Sequence, residues 1–238
     1  VERDLVERDL AWDGCRNVRD LGALPLEGGG TTVWGRVVRA DNPARLTPAG
    51  WEALHAHGVR TVVLLRTVGT DDPEPVPARV PTDVGLVRVF VEDATDAEFR
   101  RRCIDTGFWA TPLEWPEMLR SWPDRCASVV AAVAQAPPGG VVLSCGIGRD
   151  RTGLASFLLL ALAGVPAAVI ADDWSRSLTR LAGDPLGDAM SPMPILEREG
   201  ATPRKAVEVA LAAGVEARLL AGGLSRADLA AARSRMTA

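Results

Sequence analysis

Cys145 and Arg151 stand with five residues between them in the run Val141-Val142-Leu143-Ser144-Cys145-Gly146-Ile147-Gly148-Arg149-Asp150-Arg151-Thr152-Gly153. A cysteine directly after a short apolar strand, with an arginine where a long apolar helix opens, can hold an oxyanion beside a sulfur nucleophile. Gly146 and Gly148 permit a tight loop whose backbone N–H groups turn inward, and Gly153 permits close helix packing. Opening the helix at Arg151 aims its positive end at the same cavity. A phosphate dianion would be cradled by the amides of residues 146–151, those of Gly146, Ile147, Gly148 and Arg149 included. The Arg151 guanidinium would grip it bidentately. The same amides and helix end favour the thiolate of Cys145, the form that attacks in line to give a phosphocysteine. Water then hydrolyses that intermediate, with Thr152 placed to hydrogen-bond the departing thiolate. Spacing alone is a weak signal in an arginine-rich chain; the strand, the glycines and the helix give it context. The plainer reading is a strand-to-helix turn around a buried cysteine.

Three carboxylates compete to protonate the leaving oxygen. Asp150 lies inside the loop. Asp124, in Trp122-Pro123-Asp124, stands only 21 residues before Cys145 and is also explained as a capping-box member. Asp93 falls just past a strand ending at Val91, where a parallel sheet binds its ligands. Asn17, Arg19 and Asp20 are candidates to brace the loop by hydrogen bonds. Arg39, Asp41 and Arg66 sit at strand ends, where a salt bridge competes with substrate contact. Arg100-Arg101-Arg102 reads as a solvated helix face.

The elements that must position these residues alternate strand and helix, which predicts a mostly parallel sheet flanked by helices in a single domain over 1–238. Strands are expected over Val33–Ala40, Val59–Leu65, Gly85–Val91 and Val141–Leu143. Thr47-Pro48 opens a helix to about His57, ended by Gly58. Residues 1–10, a tandem VERDL pair, are expected to fray, and 72–81 reads as a Pro-rich loop. Residues 92–122 carry charge, three tryptophans and no clean period. They are expected to form a lid or insertion of short helices, with a capping box at Thr111-Pro112-Leu113-Glu114. Ser121 to Asp124 is read as a second cap before a helix over Arg125–Gln135. Leu154–Ala171 lacks charges but is divided by Gly164-Val165-Pro166, so two helices are expected rather than a membrane span. A loose stretch over 182–203 precedes two closing helices, the last capped by Ser225 with Asp228.

Composition narrows the classes. The 238 residues are 47% hydrophobic and 24% charged with a formal charge of −4, ordinary for a globular protein and unsuited to general nucleic-acid binding. Lys205 is the only lysine and tyrosine is absent. Cys15, Cys103, Cys126 and Cys145 lie far apart, which argues against a zinc site or disulfide scaffold and fits a reducing compartment. His55 and His57 read as exposed helix residues, and no metal or other cofactor is called for. The chain opens with charges rather than a secretory signal, so the cytoplasm is the expected location. Its first residue is Val, which leaves a trimmed start open.

The loop residues Ser144 to Gly153 resemble the HCxxGKDRTG signature of bacterial tyrosine phosphatases with broad, lipid-inclusive specificity. Arg16-Asn17-Val18-Arg19-Asp20-Leu21-Gly22 is similar to that family's NxRDLGG segment. Val38-Arg39-Ala40-Asp41 with Arg45-Leu46-Thr47 resembles its YRSD…LT stretch, and Val63-Leu64-Leu65-Arg66 its DLR strand. Ala171-Asp172-Asp173-Trp174 and Gly223-Leu224-Ser225 fit downstream. The resemblance implies a cysteine-based phosphatase fold, a dual-specificity type of activity on a phosphorylated substrate, and Asp150 as acid. Ser144 replaces the usual histidine and Arg149 the usual lysine. The substrate stays open between phosphoprotein, phosphoinositide and small phosphorylated metabolite, as does the oligomeric state. The competing reading is a phosphate-binding pseudophosphatase with catalysis weakened at Ser144. Sulfur transfer or arsenate reduction is disfavoured by the lack of a resolving cysteine near the loop.

Overall fold

Arg19–Asp20 (β1), Val37–Ala40 (β2), Val59–Val68 (β3), Gly85–Asp93 (β4) and Gly140–Ser144 (β5) share one sheet in the order β1-β2-β5-β3-β4. The computed structural model describes residues 8–69, 77 and 80–237. β1 runs antiparallel to β2 and every other pairing is parallel, so the chain is an α/β protein with a mostly parallel sheet. β5 is central. Its five residues are all buried, as expected of a parallel strand covered on both faces.

Alternate residues of the strands feed two cores. On one face Val38, Val62, Leu64 and Val142 pack against Trp51 and Leu54 of α1 (Pro48–Ala56). On the other, Val63, Leu65, Val141 and Leu143 join a larger core. That core is built from Ala97–Phe99 (α2), Trp115–Ser121 (α3), Pro123–Ala134 (α4), Arg151–Ala163 (α5), Ala167–Arg180 (α6), Met193–Arg198 (α8), Pro203–Ala212 (α9), Val215–Ala221 (α10) and Arg226–Met236 (α11). The short α7 (Pro185–Ala189) precedes α8. α5 is buried over most of its length because its apolar residues surround it.

Several sequence expectations change in detail. The strand expected from Val33 begins only at Val37, because the Val33 amide donates to Met236 O and Gly35 takes φ +74° in a turn. Thr47 caps α1 and Ser225 caps α11 as expected. Ser121 does not cap α4; its hydroxyl bonds the Glu117 carboxylate. Thr111 caps the 3₁₀ turn Pro112–Glu114, yet Glu114 turns into the core instead of closing a capping box. Residues 182–203 hold α7 and α8, and three helices rather than two follow. Gly164, in the left-handed conformation, separates α5 from α6, and among the described residues no helix is long and apolar enough to cross a membrane. His57 is not exposed: it stacks edge-on against Trp12 and Trp34 and bonds Asp20 at 2.7 Å. Residues 1–7 and most of the Pro-rich loop 72–81 lie outside the described residues. Arg8, the first described residue of that segment, is buried.

Candidate active site

β5 delivers Cys145 to the end of the sheet and α5 begins at Arg151, so the intervening loop has little length to spare. Its carbonyls are tied on the outer side. Gly146 O accepts from the Asn42 amide at 3.3 Å, Ile147 O from the Asn17 side chain at 3.0 Å, and Gly148 O from Arg39 at 2.9 Å. Among the described residues, none of the N–H groups of Gly146, Ile147, Gly148, Arg149 and Asp150 donates a hydrogen bond. Consecutive amides left uncommitted in a turn form an anion-binding concavity. Gly148 sits at φ +71° against the end of β2, where a Cβ would come 2.6 Å from Ala40 C and O. At Gly153 a Cβ would meet the Trp174 ring at 2.8 Å, so this glycine lets α5 and α6 approach.

Cys145, Asp150 and Arg151 meet Thr67, Glu92 and Trp109 around a cavity of about 260 Å³, with Leu186 and Met190 contributing apolar wall. Of the four cysteines, Cys145 is the one that lines it. Burial pushes the thiols of Cys15, Cys103 and Cys126 up, that of Cys126 to about 12. Arg151 donates from Nη1 to Leu65 O at 3.1 Å, and its Nε lies 3.9 Å from Glu92 Oε2. Burial raises the pKa of Asp150, against the opposing pull of Arg149, so this carboxyl holds its proton more tightly than an ordinary aspartate.

Behind the loop stands a charged hub. The buried Asp173 of α6 receives Arg8 at 3.0 Å, Arg19 at 3.0 Å and Arg39 at 2.7 Å. Burial alone would raise the Asp173 carboxyl; the three guanidiniums outweigh it and hold it far below the ordinary carboxylate range. Burial and the neighbouring Arg39 push Arg19 down to about 9. Arg19 also donates to Asn17 Oδ1 at 2.7 Å, which orients the amide that binds Ile147 O. The hub therefore reaches the loop twice, through Asn17 and through Arg39.

The sequence-selected residues divide accordingly. Cys145, Gly146, Ile147, Asp150 and Arg151 come together around the cavity, while Asn17 and Arg19 brace the loop from outside. Asp20 instead binds the amides of Gly22 and Gly35 and the ring of His57. The Arg149 guanidinium does not face the cavity; it is buried against Asp150, Gly187 O and Met190 O. The Thr152 hydroxyl is buried and makes no hydrogen bond among the described residues. Ser144 donates to Val63 O at 3.3 Å, across to β3 and away from the loop. Arg39 and Asp41 serve structure, Asp41 by accepting the amides of Arg16 and Asn17.

Two acid candidates stand elsewhere. Asp93 bonds Thr95 and pairs with Arg125 at 3.4 Å; the Thr95 hydroxyl leads the contacts that lower its pKa. Asp124 is exposed in the first turn of α4. The carboxylate that β4 does send inward is Glu92, which sequence reasoning missed. Its signal lay in strand register: Arg66 pairs with Phe90 but Thr67 with Glu92, so Val91 is an extra residue on β4. Among the described residues, no group of three or more His, Cys, Asp or Glu side chains could hold a metal ion.

Residues 10–232 match the sequence profile of the tyrosine phosphatase family. A Cupriavidus necator protein named "Putative tyrosine-protein phosphatase" is 31% identical over 214 residues, covering 79% of this chain and 74% of that protein. A "Tyrosine-protein phosphatase" of Nostoc commune is 29% identical over 150 residues, 62% of this chain and 50% of its own length. The chain belongs to the tyrosine phosphatase family.

Proposed function

We propose that the protein is a cysteine-dependent phosphomonoester hydrolase that works through a phosphocysteine intermediate. The observation that carries this reading is the loop from Gly146 to Asp150, with its first three carbonyls tied outward and its amides uncommitted beside Cys145 and Arg151. The amides and the Arg151 fork bind the non-bridging oxygens and take up charge that spreads onto them in the transition state. Cys145 Sγ attacks phosphorus, the bond to the leaving oxygen breaks, and Asp150 gives that oxygen its proton. Water then attacks the thiophosphate and loses a proton to Asp150. The S–P bond breaks, releasing phosphate and the thiolate. The raised pKa of Asp150 supports its part as acid.

Hydrolysis of p-nitrophenyl phosphate should be abolished in Cys145→Ser. In Arg151→Lys, which keeps the charge but loses the planar fork, turnover should fall by orders of magnitude. Cys145→Ser with unchanged activity sinks the mechanism. Phosphate binding by the native chain without turnover establishes the pseudophosphatase reading instead. The names of the relatives make phosphotyrosine the first substrate to test, beside phosphoinositides and small phosphorylated metabolites. Leu186, Met190 and Trp109 supply apolar wall for a leaving group.

A further inference from the structure

Behind the loop three buried guanidiniums meet a single carboxylate. Arg8, Arg19 and Arg39 each pair with Asp173, and among the described residues no other carboxylate lies within ion-pair distance of any of them. Their remaining partners are neutral oxygens: Asp20 O for Arg8, Asn17 Oδ1 and Ser177 Oγ for Arg19, Gly148 O and Ser177 Oγ for Arg39. The Nε groups of Arg8 and Arg39 make no hydrogen bond among the described residues. The surrounding charges are engaged elsewhere. The Asp20 carboxylate turns to the amides of Gly22 and Gly35 and the ring of His57. Arg149 with Asp150 and Arg151 with Glu92 match one to one, and Asp9 pairs with Arg176 and Arg180. The hub itself therefore carries two more positive charges than negative ones, out of reach of water. Buried charge without a counter-charge is costly, and burial with the neighbouring Arg39 already pushes Arg19 down to about 9.

Resting on the phosphatase reading, we propose that the missing counter-charge is the substrate's phosphate dianion, and that Arg8 is the residue whose charge the hub holds in surplus for it. The hub stands close enough to act. Arg39 donates to Gly148 O at 2.9 Å, and that carbonyl shares its peptide unit with the Arg149 N–H, one of the uncommitted donors of the loop. A cation on the carbonyl side of a peptide strengthens its N–H as a donor. Arg19 and Arg39 have tasks of their own there, orienting Asn17 and holding Gly148 O. Arg8 touches no atom of the loop; its guanidinium reaches Asp173 and Asp20 O. Asp173 is already paired with Arg19 and Arg39, so Arg8 adds charge that the fold itself does not balance. A dianion entering the loop restores that balance from the other side of the peptide plane. Arg8 thus acts at a distance, in a medium where Coulomb attraction is weakly screened.

Sulfate and perchlorate are the probes, because both are tetrahedral oxyanions and they differ in charge. Titration calorimetry at fixed ionic strength measures the affinity of the full chain for each. An electrostatic loss scales with the charge of the ligand, so Arg8→Met should weaken sulfate about tenfold and perchlorate only about threefold. Arg8→Lys keeps the charge and should hold sulfate within about twofold of the native protein. A merely structural role for Arg8 would weaken both ions by the same factor. Equal losses, or native sulfate affinity in Arg8→Met, overturn the inference while leaving the phosphatase reading intact. Ser177→Asp approaches the same balance from the opposite side, placing a second carboxylate where Arg19 and Arg39 now share a hydroxyl. It too should weaken sulfate more than perchlorate, and it supplies the decisive comparison if Arg8→Met does not fold. Native sulfate affinity in Ser177→Asp likewise overturns the inference. Absence of sulfate and phosphate binding to the native chain overturns the phosphatase reading itself.

Discussion

The guanidinium of Arg149 holds the carboxylate of its own neighbour, Asp150, with Nε 2.7 Å from Oδ1 and Nη2 3.3 Å from Oδ2. Arg149 thus tunes the proposed acid and, through Met190 O and Gly187 O, fastens it to the α7 segment. An arginine can do both at once because its fork spans several acceptors, where a lysine offers one point charge.

Arg149→Gln removes the cation that opposes the burial-driven rise of Asp150. The acid should then keep its proton to higher pH, and the basic limb of kcat/KM should move upward. A pH–rate profile with p-nitrophenyl phosphate checks this. An unmoved basic limb would remove Asp150 from the role of acid.

Asp173→Asn should be among the most damaging single substitutions in the chain. It leaves Arg8, Arg19 and Arg39 buried without their carboxylate, at a cost of about 3–5 kcal/mol. The native Asp173 pKa is depressed, so its contribution is present above the unfolded carboxyl value and is lost as pH falls through the folded one. Thermal melts across acidic pH should show a steep loss in the native protein and a flatter dependence in the variant.

Gly148→Ala places a Cβ against the backbone at Ala40 while demanding φ +71°. The left-handed conformation alone costs about 1–2 kcal/mol, and the loop must also shift away from β2. Vanadate inhibition should weaken at least tenfold, roughly the effect of losing 1.4 kcal/mol of oxyanion binding. An unaltered inhibition constant would mean that the tethered carbonyls do not set the cradle.

Ser144→Ala removes one hydrogen bond to Val63 O and should cost about 1 kcal/mol with turnover little changed. Ser144→His must fit an imidazole into a fully buried strand end between β2 and β3, so overpacking of about 1–3 kcal/mol is expected. Denaturant melts and turnover of both variants measure this. A stable Ser144→His protein would show that the strand end opens more readily than its packing implies.

The strands over Val59–Val68, Gly85–Asp93 and Gly140–Ser144 were legible because β-branched and apolar runs mark buried parallel strands. The loop was legible because a short apolar strand, a cysteine, two glycines and an arginine opening a long apolar helix follow one another in a single run. Glu92 was not. Counting alternately from the buried Val89 and Val91 sends the next inward position to Asp93, and that is the residue a sequence reading selects. The bulge at Val91 reverses the alternation, bringing Glu92 inside and leaving Asp93 with Arg125. Nothing local in Phe90-Val91-Glu92-Asp93 announces the extra residue; the pairing with β3 creates it. Arg149 escaped for a similar reason, since its partners Gly187 and Met190 belong to a short helix and its C-cap, which a Pro/Gly/Met-rich stretch does not advertise.

The hub at Asp173 joins positions 165, 154 and 134 residues away along the chain. Contacts of such separation close large loops and are made only after much of the chain has been ordered. Since the same arginines orient Asn17 and hold Gly148 O, the proposed phosphate cradle cannot mature on a nascent chain that has yet to produce α6. Competence to bind phosphate should arrive with the docking of that helix, as one of the last events of folding.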